Sequence, residues 1–99
     1  MNDMKNEALT PMEIESRLGE FSGWQQHGLC ISKTYSFKDY YQTIAFVNAI
    51  AWIAHREDHH PDLAVSYNAC RVDYSTHSAG GLTEKDFICA ALVDALFKP

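Results

Sequence analysis

Glu57-Asp58-His59-His60-Pro61-Asp62 is the stretch at which the chain changes character. An apolar segment of helical spacing precedes it, and short alternating runs follow. Pro61 cannot continue a helix, and it pushes His60 out of the helical backbone region. The helix is therefore expected to end at Pro61, with His59 near its last turn and the two imidazoles pointing apart.

Upstream, Tyr40, Ile44, Val47, Ile50, Ala51 and Ala54 recur at helical spacing, and Phe46, Ile50 and Ile53 make a neighbouring stripe. Few charges interrupt this arc before Arg56. An arc so wide predicts burial on two sides, one against a sheet and one against a second subunit. Ser36 offers a cap, and Asp39 adds negative charge near the positive helix end. Further back, residues 24–26 and 29–35 read as a hairpin about His27-Gly28. Its second arm sets Leu29, Ile31, Lys33 and Tyr35 on one face and Cys30, Ser32 and Thr34 on the other. Thr10-Pro11-Met12-Glu13 carries a capping box with proline at the first helical position. It predicts a short helix with Met12, Ile14 and Leu18 on its apolar side and Gly19 at its end. Residues 1–9 read as a polar tail.

Downstream, residues 63–67 and 70–77 read as a second hairpin about Asn68-Ala69. Cys70, Val72, Tyr74 and Thr76 share one face; Arg71, Asp73, Ser75 and His77 share the other. His77 is thus expected at a strand end, on the polar face. Ser78-Ala79-Gly80-Gly81 is a turn. Thr83 then caps a last helix, with Asp86 at the third position and a stripe of Phe87, Ile88, Ala91, Leu92, Ala95 and Leu96. The order α-β-β-α-β-β-α describes an α+β fold with helices on one face of antiparallel strands, in a single domain over residues 10–99.

The net charge of -5 and singly scattered basic residues argue against a nucleic-acid face. No apolar run is long enough to span a bilayer, and the first residues lack the apolar stretch of a secretory signal. Cys30, Cys70 and Cys89 form no C-x-x-C pair, which points to buried thiols in a reducing compartment such as the cytoplasm. His55 and His59 have the i, i+4 spacing of zinc ligands. However, Arg56 stands where the zinc-protease motif needs glutamate, so no metal is expected. What remains is acid-base chemistry. An imidazole titrates near neutrality, so one ring can donate a proton while another accepts one. The helix end, Asp58 and Asp62 favour a protonated ring nearby. Eliminating water from a small molecule needs an acid for the hydroxyl and a base for the proton.

His55-x-x-x-His59-His60-Pro61, then Tyr67, His77 and Asp86, resembles the signature of the pterin-4a-carbinolamine dehydratases. The likeness runs from Gly23-Trp24 through Ser75-Thr76-His77 and Gly81-Leu82-Thr83. It implies a hydro-lyase, a 4a-hydroxytetrahydrobiopterin dehydratase, that converts 4a-hydroxytetrahydropterin to quinonoid dihydropterin without metal or bound cofactor. It thereby recycles the tetrahydrobiopterin cofactor of an aromatic amino-acid hydroxylase. The family's catalytic histidines fall on His59, His60 and His77. Its substrate contacts fall on Asp58, His59, His60, Ser75, Thr76, His77 and Ser78, with Trp24 near the pocket. The implied fold is a four-stranded antiparallel sheet with helices on one face. Two subunits extend the sheet, and the dimers pair through helices into a homotetramer. His55 departs from the pattern, since relatives commonly carry an acid there. Some relatives instead act as dimerisation cofactors of a hepatocyte nuclear transcription factor through their helical surface. The alternative reading is such a protein-binding role, here through Phe46, Ile50 and Ile53. Asp86 reads as a helix cap, and Tyr67 as a packing residue on its strand.

Overall fold

The computed structural model describes residues 7–97. Its elements are α1 (Pro11–Leu18), β1 (Gln25–His27), β2 (Cys30–Ser36), α2 (Tyr40–Glu57), β3 (Asp62–Val65), β4 (Ala69–Tyr74) and α3 (Glu84–Asp94). Single 3-10 turns follow β4 at His77–Ala79 and α3 at Ala95–Phe97. The strands form one antiparallel sheet in the order β1-β2-β4-β3, so the α-β-β-α-β-β-α order holds. Residues 1–6 of the expected tail lie outside the described residues. Leu9 is tied to the body, its N–H donating to the Leu82 carbonyl at 2.8 Å.

The central pair, β2 and β4, sets Ile31 opposite Tyr74 and Tyr35 opposite Cys70. Their inward side chains meet α2 through Phe46, Ile50 and Ile53, and α3 through Phe87, Ala90 and Val93. Burying each large apolar side chain of this layer contributes about 1.5–3 kcal/mol. The other sheet face leaves Thr34, Ala64 and Arg71 exposed. Among the described residues no helix is long and apolar enough to cross a membrane.

Several local expectations shift. The first hairpin pairs His27 with Cys30, so its two-residue turn is Gly28-Leu29. Gly28 takes φ 59°, the left-handed conformation that such a turn needs and that glycine adopts without strain. Leu29 therefore sits exposed at the tip instead of on the inner face. The cap of α2 is Asp39, which accepts from Gln42 N–H at 2.9 Å; Ser36 ends β2. The second hairpin turns at residues 66–68, which exposes Tyr67 and stacks it on Tyr40 at 6.4 Å, so it is not a strand packing residue. In α3 the buried side runs through Asp86, Phe87, Cys89, Ala90 and Val93, with Ala91 exposed; Ala95 and Leu96 lie exposed in the 3-10 turn beyond it. Phe46, Ile50 and Ile53 are buried against the sheet and cannot form an outer surface. The outer side of α2 instead presents Tyr41, 83% exposed, and Trp52, 60% exposed.

The far end of α3 is latched to β2. Asp94 accepts from Lys33 Nζ at 2.9 Å, Trp24 Nε1 at 3.1 Å and the Tyr35 hydroxyl. Burial works to raise its carboxyl, but the bonds from Tyr35, Lys33 and Trp24 outweigh this and hold it below the usual carboxylate range.

Candidate active site

α2 stops before Pro61 is reached. Asp58 takes the left-handed conformation, φ 54° and ψ 44°, and the N–H groups of Asp58 and His59 both return to the Ala54 carbonyl. This is a Schellman-type stop made with aspartate, which tolerates that backbone better than most residues. Pro61 then keeps the chain extended into β3. The reversal at Asp58 turns the His59 side chain inward and leaves His60 exposed.

His59 Nε2 lies 2.7 Å from Asp86 Oδ1, across 27 residues of chain. Asp86 is fully buried, and the His59 side chain is 11% exposed. The other carboxylate oxygen, Oδ2, accepts from Thr76 Oγ1 at 2.8 Å and from Thr83 N–H at 2.9 Å. Thr76 and Thr83 are joined hydroxyl to hydroxyl at 2.9 Å. With its own proton given to Asp86, Thr76 accepts from Thr83. A buried carboxylate is costly unless such donors surround it. As an acceptor, Asp86 requires Nε2 to carry a proton. Neutral His59 then has its free lone pair on Nδ1, the tautomer suited to a base.

Behind the imidazole lies the ring of Tyr74, 5.8 Å between centroids and 16° from parallel. His77 opens the 3-10 turn immediately after Thr76 and is exposed. The turn is closed by Gly80 N–H to His77 O at 3.1 Å and by paired bonds between Thr76 and Gly81. Gly80, at φ 74°, permits this reversal. Ser75 is half-buried, whereas Asp58 and Ser78 are exposed.

Asp86 thus joins His59 to Thr76, and His60 and His77 are their respective chain neighbours. Trp24 is not part of this cluster: it is buried, and its indole N–H is spent on Asp94. His55 lies on the exposed side of α2 against Trp52, 6.0 Å between centroids, so the carboxylate partner of His59 comes from α3 and not from position 55. Among the described residues no three His, Cys, Asp or Glu side chains are disposed to hold a metal ion. Capping accounts for only one of the bonds Asp86 makes. The others join it to His59 and Thr76, 27 and 10 residues away in the chain, and no local sequence pattern signals them.

A family profile described as Pterin 4 alpha carbinolamine dehydratase matches residues 7–96. The chain is 58% identical over 90 residues to a protein of Nitrosospira multiformis named "Putative pterin-4-alpha-carbinolamine dehydratase", covering 91% of this chain and 80% of that one. A protein of the same name from Nitrosomonas europaea is 68% identical over 76 residues, covering 77% and 67%. Among solved structures, a transcriptional coactivator/pterin dehydratase from Brucella melitensis superposes with TM-score 0.87 at 33% identity, covering 91% of this chain and 98% of that one. A pterin dehydratase-like protein identified as a RuBisCO assembly factor in the alpha-carboxysome superposes with TM-score 0.62 at 26% identity, covering 76% and 87%.

Proposed function

Since this chain belongs to the pterin-4a-carbinolamine dehydratase family, we propose that it eliminates water from a pterin-4a-carbinolamine to give the quinonoid dihydropterin. The observation that carries this reading is the His59–Asp86 pair: a nearly buried imidazole, held on a fully buried carboxylate, beside a turn that begins with another histidine.

His59 takes the N5 proton at Nδ1, and Asp86 stabilises the imidazolium that results. His60 or His77, both exposed, donates a proton to the C4a hydroxyl as it leaves as water. The C4a–O bond breaks as the N5–H electron pair forms the new C=N bond, so no redox partner is needed. Asp58, Ser75, Thr76 and Ser78 flank the histidines and bind the polar edge of the pterin. Trp24 packs on Tyr74, one ring removed from His59, and stands near the pocket. Asp86 is a positioning residue, acting through His59.

The chain would work as a homodimer or homotetramer in the cytoplasm, serving an aromatic amino-acid hydroxylase. Its three free cysteines suit a reducing compartment. Stopped-flow dehydration of freshly made 4a-hydroxytetrahydropterin tests the activity. His59→Ala and His77→Ala should each lower the rate about a hundredfold or more, the scale of lost general acid-base catalysis. Rates equal to wild type in both variants would defeat the assignment.

A protein-binding role is the second reading. It is favoured by the exposed Tyr41 and Trp52 on α2 and by the identification of one structural relative as a RuBisCO assembly factor. Sedimentation separates the two: a stable, active tetramer supports the enzyme, and an inactive monomer with this face open supports partner binding.

A further inference from the structure

Tyr74 is the last residue of β4, in register with Ile31 and on the helix-facing side of the sheet. It is fully buried between Trp24, at 6.3 Å between ring centroids, and His59, at 5.8 Å. Its hydroxyl has no hydrogen-bond partner among the described residues. Phenylalanine would share this ring without stranding a buried hydroxyl, so the ring and not the hydroxyl is the feature that bears on His59. What an aromatic ring adds over an aliphatic side chain is an electron-rich face lying nearly parallel to the imidazole.

We propose that Tyr74 is a positioning residue for His59: its ring fixes the plane of the imidazole and favours the imidazolium formed when His59 takes up a proton. The proposal rests on the reading of His59 as an acid-base group. A single hydrogen bond from Nε2 to Asp86 fixes one direction of the ring but leaves rotation about that bond. A parallel ring delivered from another element removes this freedom. Asp86 comes from α3 and Tyr74 from β4, so the two constraints are separable by mutation. The remaining ionisable groups on α2, β4 and α3 are Tyr40, Tyr41 and His55 along α2, Arg56 and Glu57 ion-paired to each other at its end, Cys70 and the bonded pair Arg71 and Asp73 on β4, and Glu84, Lys85, Cys89 and Asp94 on α3; Asp58, His60 and His77 lie on the adjoining segments. Of all of these groups, only Asp86 bonds the imidazole among the described residues.

The test is the titration of His59 followed by imidazole NMR, which needs no substrate, together with steady-state kinetics. Tyr74→Leu should lower the titration midpoint of His59 by about half to one pH unit, the range expected for a lost cation–π contact. Its kcat should fall about tenfold with KM within threefold, as misorientation of a reacting group predicts. Tyr74→Phe keeps the ring and should stay close to wild type in both. Pentafluorophenylalanine at position 74 preserves shape while reversing the polarity of the ring face, so it reads the effect even if the leucine variant does not fold. A lowered midpoint with the fluorinated ring supports the proposal whether or not the wild type dehydrates pterins. A midpoint unchanged from Tyr74→Phe overturns it, even in an active dehydratase.

Discussion

Asp86→Asn is the sharpest probe of the site because it preserves shape and removes charge. The carboxylate accepts at both oxygens: Oδ1 from His59, and Oδ2 from Thr76 and Thr83. An amide has only one acceptor oxygen. If that oxygen keeps the Thr76 and Thr83 bonds, the NH2 group faces His59 Nε2. The imidazole must then accept there and carry its proton on Nδ1. The base is lost although every atom stays near its place. The rate should fall about 10²- to 10⁴-fold, the contribution of a correctly protonated general base. If instead the oxygen faces His59, the Thr83 N–H meets another donor and the cap of α3 is broken. Loss of a hydrogen bond to a charged group costs about 1.5–3 kcal/mol. For a domain of this size that lowers the midpoint of thermal unfolding by roughly 6–24 °C. Stopped-flow dehydration measures the first effect and calorimetry the second, while ¹⁵N spectra of His59 report which nitrogen holds the proton. A folded variant with a rate within threefold of wild type and the Nε2–H tautomer intact would refute the reasoning.

Asp94 should matter to acid stability. Its carboxyl lies below its ordinary value of 3.8, so the stabilisation it supplies is complete above that pH and is lost as pH falls through the depressed value. Urea unfolding should show Asp94→Asn clearly weaker than wild type at pH 6 and the gap closing towards pH 2; a constant gap would contradict the latch. The thiols should react unequally. Burial raises the Cys70 thiol and pushes Cys89 up to about 11, whereas Cys30 is only partly buried. A disulfide reagent at pH 8 should label one thiol rapidly and the other two only after unfolding, and fast labelling of all three in the native protein would contradict this burial.

The alternation in β2 and β4 was legible because a strand with one solvated face must place every second side chain inward. The capping boxes at Thr10 and Thr83 were legible because their bonds span only three residues. Turn positions were missed by one or two residues, since pairing with the partner strand sets the register. The buried side of α3 was also misread: its apolar residues lie nearly all round the helix, so periodicity could not choose a face. That choice fell to the sheet and to α2.

For the candidate site, the sequence alone supplied the residue types: adjacent histidines at a helix end, a third after a strand, and an aspartate at a helix start. It could not supply the bond between His59 and Asp86, because local pattern carries no information about groups 27 residues apart. The left-handed turn at Asp58 aims His59 inward, and the packing of α3 beside the end of β4 brings Asp86 to meet it. Only when the chain closes around the sheet does a helix cap also become the partner of an imidazole.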